Sequence, residues 1–173
     1  MKGFFRKLIQ KPLSEKIEVR DSDFEKYGVQ LKEEINSVFG RSIAIREVDC
    51  GSDNAAEIEI NNLSSPYYDV ERFGVTFVAS PRHADVLFVT GAVTHNMKHA
   101  LKKVYDAAPS PKYVVAIGDE ACSGGIFKDS YAVYGPVSSV VPVDLEILGN
   151  PPEPVDMIKG LLVLMKNAGR KKI

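Results

Sequence analysis

Two cysteines, three histidines and a glycine pair are the residues of this 173-residue sequence whose chemistry stands out first. Two thiols cannot supply four ligands, so an all-cysteine zinc or iron–sulfur site within the chain is excluded. A chain of this length buries a sizeable core without staples, so Cys50 and Cys122 do not read as a disulfide framework. They read as a pair of buried, inert thiols. His95 and His99 stand one helical turn apart, a spacing that can bind a metal. No third ligand accompanies them and H-E-x-x-H is absent, so they read as a solvated helix face, with His83 apart from both. Gly124-Gly125 lies in neither a G-x-x-x-x-G-K-[ST] loop nor a dinucleotide fingerprint, and reads as a tight turn or a close backbone approach. No nucleophile elbow or Ser/His/Asp order is present. General motifs therefore define no catalytic centre.

The elements that would position such residues are legible from periodicity. Val29, Leu31, Ile35 and Val38 form a helical pattern ending at Gly40, a plausible C-cap. Residues 42–48 alternate as a strand, and a polar stretch after them contains a short helix-compatible core, Ala55–Ile60. From Gly74 the chain alternates strands with helices: strands at 75–79, 85–90 and 113–117, and a last one at 140–147. The stretch 85–90 is a nearly continuous apolar run of the kind buried parallel sheets use. Pro142 interrupts the last strand and favours an edge or a bulge. Thr94 is placed to cap a helix through Ala108 that Pro109 and Pro111 stop, and residues 153–168 form a final amphipathic helix. Strand–helix alternation implies a parallel sheet, whose ligands sit beyond the strands' carboxyl ends. The segments Cys50–Ala56, Gly91–Thr94, Gly118–Gly125 and Leu148–Pro152 all leave such ends and are expected to meet at one rim.

Composition is that of an ordinary globule: 45% hydrophobic, 26% charged and net charge −1, which hides a basic–acidic–basic arrangement. Residues 1–12 hold Lys2, Arg6, Lys7 and Lys11 and no acid; residues 158–173 hold five basic residues and no acid. Between Cys50 and Met157 fourteen acids face seven Lys and Arg, which argues against a nucleic-acid groove. No apolar run reaches the ~18–20 residues that span a bilayer, and no signal-peptide core opens the chain, so a cytoplasmic location is expected. Phe4, Phe5, Leu8 and Ile9 among the basic side chains suit a short helix lying on a membrane surface; a terminus with a few apolar residues is the other reading.

Longer segments carry a family resemblance. Gly51-Ser52-Asp53-Asn54-Ala55-Ala56-Glu57-Ile58-Glu59-Ile60 resembles the cluster-binding segment, G-S-C-N-x-C-D-I-E, of small subunits of energy-converting, membrane-bound nickel–iron hydrogenases, relatives of the 20-kDa subunit of complex I. The stretches 68–75 and Ser80-Pro81-Arg82-His83-Ala84-Asp85 resemble the next part of that family. So do 89–94, 116–121 with 124–127, 141–144, and Gly149-Asn150-Pro151-Pro152-Glu153-Pro154, in the same order. The resemblance implies an α/β fold: a single flavodoxin-like domain, a mostly parallel sheet flanked by helices, with an extended N-terminal helical segment. The expected division is residues 1–40, 41–168 and a basic tail, 169–173.

The resemblance also places the family's four 4Fe–4S cysteines on Asp53, Ala56, Glu120 and Asn150, all replaced here. Alanine offers iron no ligand and an amide is a poor one beside a thiolate, so no cofactor is expected. Asp53, Glu120 and Asn150 would surround the vacated place, with Asp119 and Glu59 near it; water, a proton or solvated filler are all open to them. An atypical site built from Cys50, Cys122, Asp53 and Glu120 is the alternative to inert thiols. Glu59 matches a glutamate facing the pocket shared with the large subunit, and Arg82 and His83 match a loop at the same face, as substrate contacts or as an interface ion pair.

The resulting expectation is a peripheral small subunit on the cytoplasmic side of the membrane. It would dock between a hydrogenase- or complex I-like large subunit and membrane-arm subunits, touch the membrane through its N-terminus, and bind no nucleic acid. Without a cluster it would act structurally or conformationally in a complex that moves ions, rather than carry electrons. An electron-transfer subunit with an atypical cluster and a stand-alone small-molecule-binding α/β protein are the alternatives.

Overall fold

The computed structural model describes residues 22–170. The amphipathic stretch expected at residues 1–12 and the last part of the basic tail lie outside the described residues. Helix α1 (Ser22–Phe39) opens the described chain with Asp23 and Glu25 in its first turn, where carboxylates complement the helix dipole. It stops at Gly40, whose φ of +66° and N–H bond to the Asn36 carbonyl close the helix. Phe24, Leu31, Ile35 and Val38 face inward, whereas Val29 points out to solvent. The sequence pattern was thus one position wrong at its start. Phe24, Leu31 and Ile35 belong to the same core as the sheet.

Five parallel strands form the sheet: β1 (Ile43–Asp49), β2 (Val75–Phe77), β3 (Val86–Thr90), β5 (Tyr113–Ile117) and β7 (Leu145–Ile147). Their spatial order is β2-β1-β3-β5-β7. Counted within this sheet alone the order is 2-1-3-4-5, the flavodoxin-like arrangement, with its switch point between β1 and β3. All five residues of β3 are buried, as a central strand covered on both faces requires. A separate antiparallel ribbon joins β4 (Val93–Thr94) to β6 (Val133–Gly135), a pairing that periodicity did not reveal.

Each face of the sheet has its own core. On one face Ile43, Ile45, Val86, Phe88, Val115 and Ile117 meet α1, α2 (Ala55–Leu63) and α5 (Pro154–Arg170). On the other, Val48, Leu87, Val89, Val114 and Ala116 meet α3 (Met97–Ala107), chiefly through Leu101, and the irregular segment carrying Val137 and Val141. Thr94 accepts the Met97 N–H at 3.3 Å at the start of α3, although the N-cap position itself is Asn96, which makes no side-chain cap bond. His95 precedes α3 and sets its ring edge against Tyr134, leaving His99 alone and exposed on the helix.

Two further readings need correction. The segment after β5 is not a loop: Gly118–Ser123 is a short helix, α4, ended by Gly124 at φ +91°. The last strand begins at Leu145, not at Val140. Residues 137–139 form a 3-10 turn and Pro142 has no N–H to give. Pairing with β5 starts only at Asp144, whose N–H bonds the Val114 carbonyl at 2.8 Å and whose carboxylate accepts the Val114 N–H at 2.9 Å. The strand is at the sheet edge, as its proline suggested.

Candidate functional site

The four segments expected at one rim do meet there. Asp53, Ala55 and Ala56 after β1, Gly91 after β3, Gly118–Glu120 after β5, and Gly149–Pro151 after β7 line one cleft of ≈ 10 Å³. That is about the room of a single water-sized group.

Local hydrogen bonding explains how the β1 loop reaches this place. Asp49 ends β1 and accepts the N–H groups of Gly51 and Ser52 at 2.7 and 3.0 Å, turning the chain as short acidic side chains do. Asn54 adopts φ +74°, and Asp53 accepts the Ala55 N–H at 2.9 Å where α2 begins. Gly91 makes the close approach possible. At φ +73° a Cβ on it would stand 2.3 Å from the Ser52 backbone nitrogen, so only glycine lets the loops after β1 and β3 touch. Across the cleft Asp119 exchanges two 2.9 Å bonds with Gly149: its N–H donates to the Gly149 carbonyl, and its carboxylate accepts the Gly149 N–H. These bonds tie α4 to the segment carrying Asn150.

Two carboxylates are buried at this rim. Glu57, 6% exposed, accepts the hydroxyls of Ser52, at 2.5 Å, and of Thr90 on one oxygen, Oε1, while Oε2 has no partner. Glu120, 7% exposed, lines the cleft and leaves Oε1 without a partner. Burial raises the Glu120 pKa above the usual glutamate value; the Asp53 charge adds to this, the Asp53 backbone amide opposes it, and Glu57 and Asp49 add further. Glu47, at the far end of the same acidic string, is raised by burial first and then by Glu57. No lysine or arginine lines the cleft.

The arrangement sorts the residues singled out in the sequence. Asp53, Ala56, Glu120 and Asn150 come together, with Asp119 beside them. Glu59 does not join them: it is half-buried on α2 and accepts from the Asn62 amide at 3.3 Å. The inward carboxylate of α2 is Glu57, which the sequence reading passed over. In the structure Ala56, Glu57, Ile60 and Leu63 are the buried residues of α2; helical periodicity alone did not single out Glu57, because Glu57 and Glu59 flank the Ala56–Ile60 line on either side. Arg82 and His83 are exposed in the 3-10 turn leading into β3, at the opposite end of that strand from Gly91, and neither lines the cleft.

The cysteines are also outside the cleft. Cys50 is fully buried in the core on the α3 face, and Cys122 packs against the same core with its thiol directed at the Ala116 and Ile147 carbonyls. Burial pushes both thiols up to about 12, with Asp49 and Glu57 reinforcing it at Cys50 and Glu146 at Cys122. Among the described residues no group of three or more His, Cys, Asp and Glu is placed to hold a metal ion. The four side chains grouped at the cleft do not fit a 4Fe–4S cube: such cubes are held by thiolates, and here there are two carboxylates, an amide and a methyl.

Fold and rim together define a flavodoxin-like α/β domain with an acidic cleft at its switch point. Comparison with known proteins places it further: the chain belongs to the NADH ubiquinone oxidoreductase, 20 Kd subunit family, whose pattern matches residues 53–164. It is 45% identical over 125 residues to formate hydrogenlyase subunit 7 of Escherichia coli, covering 72% of this chain and 49% of that one. The chain thus spans about half the length of that relative. It is 40% identical over 131 residues to the probable membrane-bound hydrogenase subunit mbhJ of Pyrococcus furiosus, covering 76% of this chain and 78% of the relative. Among solved structures, a chain of the membrane-bound sulfane sulfur reductase, an archaeal respiratory membrane complex, superposes with a TM-score of 0.68 at 31% identity, over 82% of this chain and 76% of that one. A [NiFeSe] hydrogenase from Desulfovibrio vulgaris Hildenborough shares the fold alone, with a TM-score of 0.54 at 20% identity over 78% and 62% of the two chains. The relatives are therefore subunits of membrane-bound hydrogenases and complex I-like assemblies, in a family that binds a 4Fe–4S cluster.

Proposed function

We propose that this chain is a peripheral small subunit of a membrane-bound, complex I-like or hydrogenase-related assembly that has lost its 4Fe–4S cluster. Its role is structural or conformational, linking a large-subunit partner on the cytoplasmic side to ion-translocating subunits in the membrane. The observation that carries this reading is the replacement at the rim. The scaffold that gathers four ligand positions is intact, while Asp53, Ala56, Glu120 and Asn150 offer no thiolate and the space among them is about 10 Å³. Peripheral attachment accords with the absence, among the described residues, of a helix long and apolar enough to cross a membrane. An electron-transfer role through an atypical cluster gains no support from geometry, because Cys50 and Cys122 face the hydrophobic core.

Iron and acid-labile sulfide analysis of the chain, purified with its native partners from solubilised membranes, tests the reading. The expected preparation has no iron or sulfide attributable to this subunit. One cluster per chain, or recovery of the protein only as a free soluble monomer, would overturn it.

A further inference from the structure

The acidic cleft is short of one thing, a positive charge. Of its lining residues, Asp119 is committed to Gly149, and the remaining carboxylates, Asp53 and Glu120, face no lysine or arginine. Glu120 lines the cleft and is more than nine-tenths buried; its carboxylate takes the Asp53 backbone amide, while Oε1, itself closed to solvent, has no partner. A buried polar atom left in that state is costly in a free protein, and charge complementarity across an interface removes the cost.

We propose that the cleft is a socket for the ammonium group of a lysine carried by a partner subunit, which docks on this rim and places its charge between Asp53 and Glu120. This rests on the reading of the chain as a docked small subunit and names the chemistry of the partner at that site. Size selects the group. The cleft takes one water-sized body; an ammonium is of that size and has three donors, whereas a planar guanidinium with its five donors is larger. Ligand geometry disfavours a metal ion, because no three acidic, histidine or cysteine side chains of the described residues converge on one point. The surroundings suit a lysine stem as well. Ile58 on α2 is 58% exposed, Leu148 beside Gly149 is 66% exposed, and Ile126, next to the Gly125 that packs on Glu120, is 80% exposed. Each is next in sequence to a residue of the rim or one packed on it, and exposed apolar side chains of this kind suit the methylenes of a lysine.

The test uses the full chain, tagged and expressed with its native partners. Retention of co-purifying subunits from solubilised membranes is measured for wild type, Glu120→Gln, Asp53→Asn and the double variant, across a salt series. Each single substitution is expected to lower retention about tenfold at moderate salt, and the double variant to abolish it. The melting temperature of the Glu120→Gln chain alone should stay level or rise, because an unpartnered carboxylate is gone; a purely structural role would lower both readouts. If Glu120→Gln impairs folding, Asp53→Asn, on an exposed side chain, carries the test. Carbodiimide coupling of the wild-type complex should join Asp53 or Glu120 to a partner lysine in an amide-linked peptide seen by mass spectrometry. Wild-type retention in all variants would overturn the socket while leaving the docked-subunit reading intact. So would retention that chelator abolishes and magnesium restores. Failure of the wild-type chain to bring down any membrane subunit would overturn both.

Discussion

Two buried carboxylates at opposite ends of the same sheet have been treated in opposite ways. At the start of β3, Asp85 takes both guanidinium nitrogens of Arg41 at 2.7 and 2.8 Å and the Ala44 N–H at 2.9 Å, so that both its oxygens are used. At the far end, Glu120 is buried to the same degree, takes the Asp53 backbone amide, has acidic charges and no basic one around it, and leaves an oxygen unpartnered. The first arrangement is a clasp that closes the chain on itself, fastening β1 to the entry of β3. The second is incomplete within the chain. A fold that satisfies one buried acid fully had the means to satisfy the other, and sites where such consistency fails are where function is expected. Asp85 also shows why a motif residue need not be an interface residue: it lies in the segment that resembles the family's loop, yet its work is internal.

The largest expected effect sharpens the rim itself. Gly91→Ala forces a Cβ against the Ser52 backbone at a left-handed φ, and backbone cannot move aside as a flexible side chain can. A loss of about 3 kcal/mol is expected from backbone strain and the clash together, read as a lower denaturation midpoint with the slope unchanged. A loss below about 1 kcal/mol would mean the loops after β1 and β3 do not touch. Next comes the clasp. Asp85→Ala removes three charged hydrogen bonds and strands the Ala44 N–H. Arg41 is largely exposed and water recovers part of its loss, so about 2 kcal/mol is expected in the same measurement. Arg41→Ala should cost less, because Asp85 keeps the Ala44 bond. If Asp85→Ala cost no more than a surface change, the two carboxylates would not differ as described.

How far the sequence reached follows the same division. Strands β1, β3 and β5 and helices α3 and α5 were legible because burial on one or both faces writes itself into periodicity. The convergence of four loops followed from strand direction alone. The β4–β6 ribbon was not legible, since two- and three-residue strands leave no period, and α4 was hidden by glycines at both of its ends. At the site, Asp53, Ala56, Glu120 and Asn150 could be grouped only through resemblance, because they come from three separate segments of the chain. Glu59 was preferred to Glu57 on motif position, and helical periodicity could not decide between them, because the two flank the face of Ala56 and Ile60 equally. Arg82 and His83 precede β3, so strand direction already put them at its amino end, opposite Gly91; resemblance alone had grouped them with the pocket face.

The smallest effect sits on the incomplete carboxylate and breaks the comparison most directly. Glu120 has a native pKa raised by burial and then by Asp53, so folding takes up a proton between the ordinary glutamate value and the native one. Its contribution to stability is present in full below the unfolded value and is lost as pH rises through the native value. Glu47, raised by burial and by Glu57, acts with the same sign and is untouched by a change at residue 120. Glu120→Gln should therefore flatten, but not abolish, the fall of stability with rising pH in that window. Above the window the variant should be more stable than wild type by about 1 kcal/mol, the low end of the cost of an unpartnered buried polar group. Asp85→Asn should instead lower stability, since it gives up a charge paired to Arg41 within the chain. Denaturant titrations of both variants at several pH values make the distinction. If Glu120→Gln were the less stable protein at neutral pH, its carboxylate would be satisfied within the chain and would need no partner to complete it.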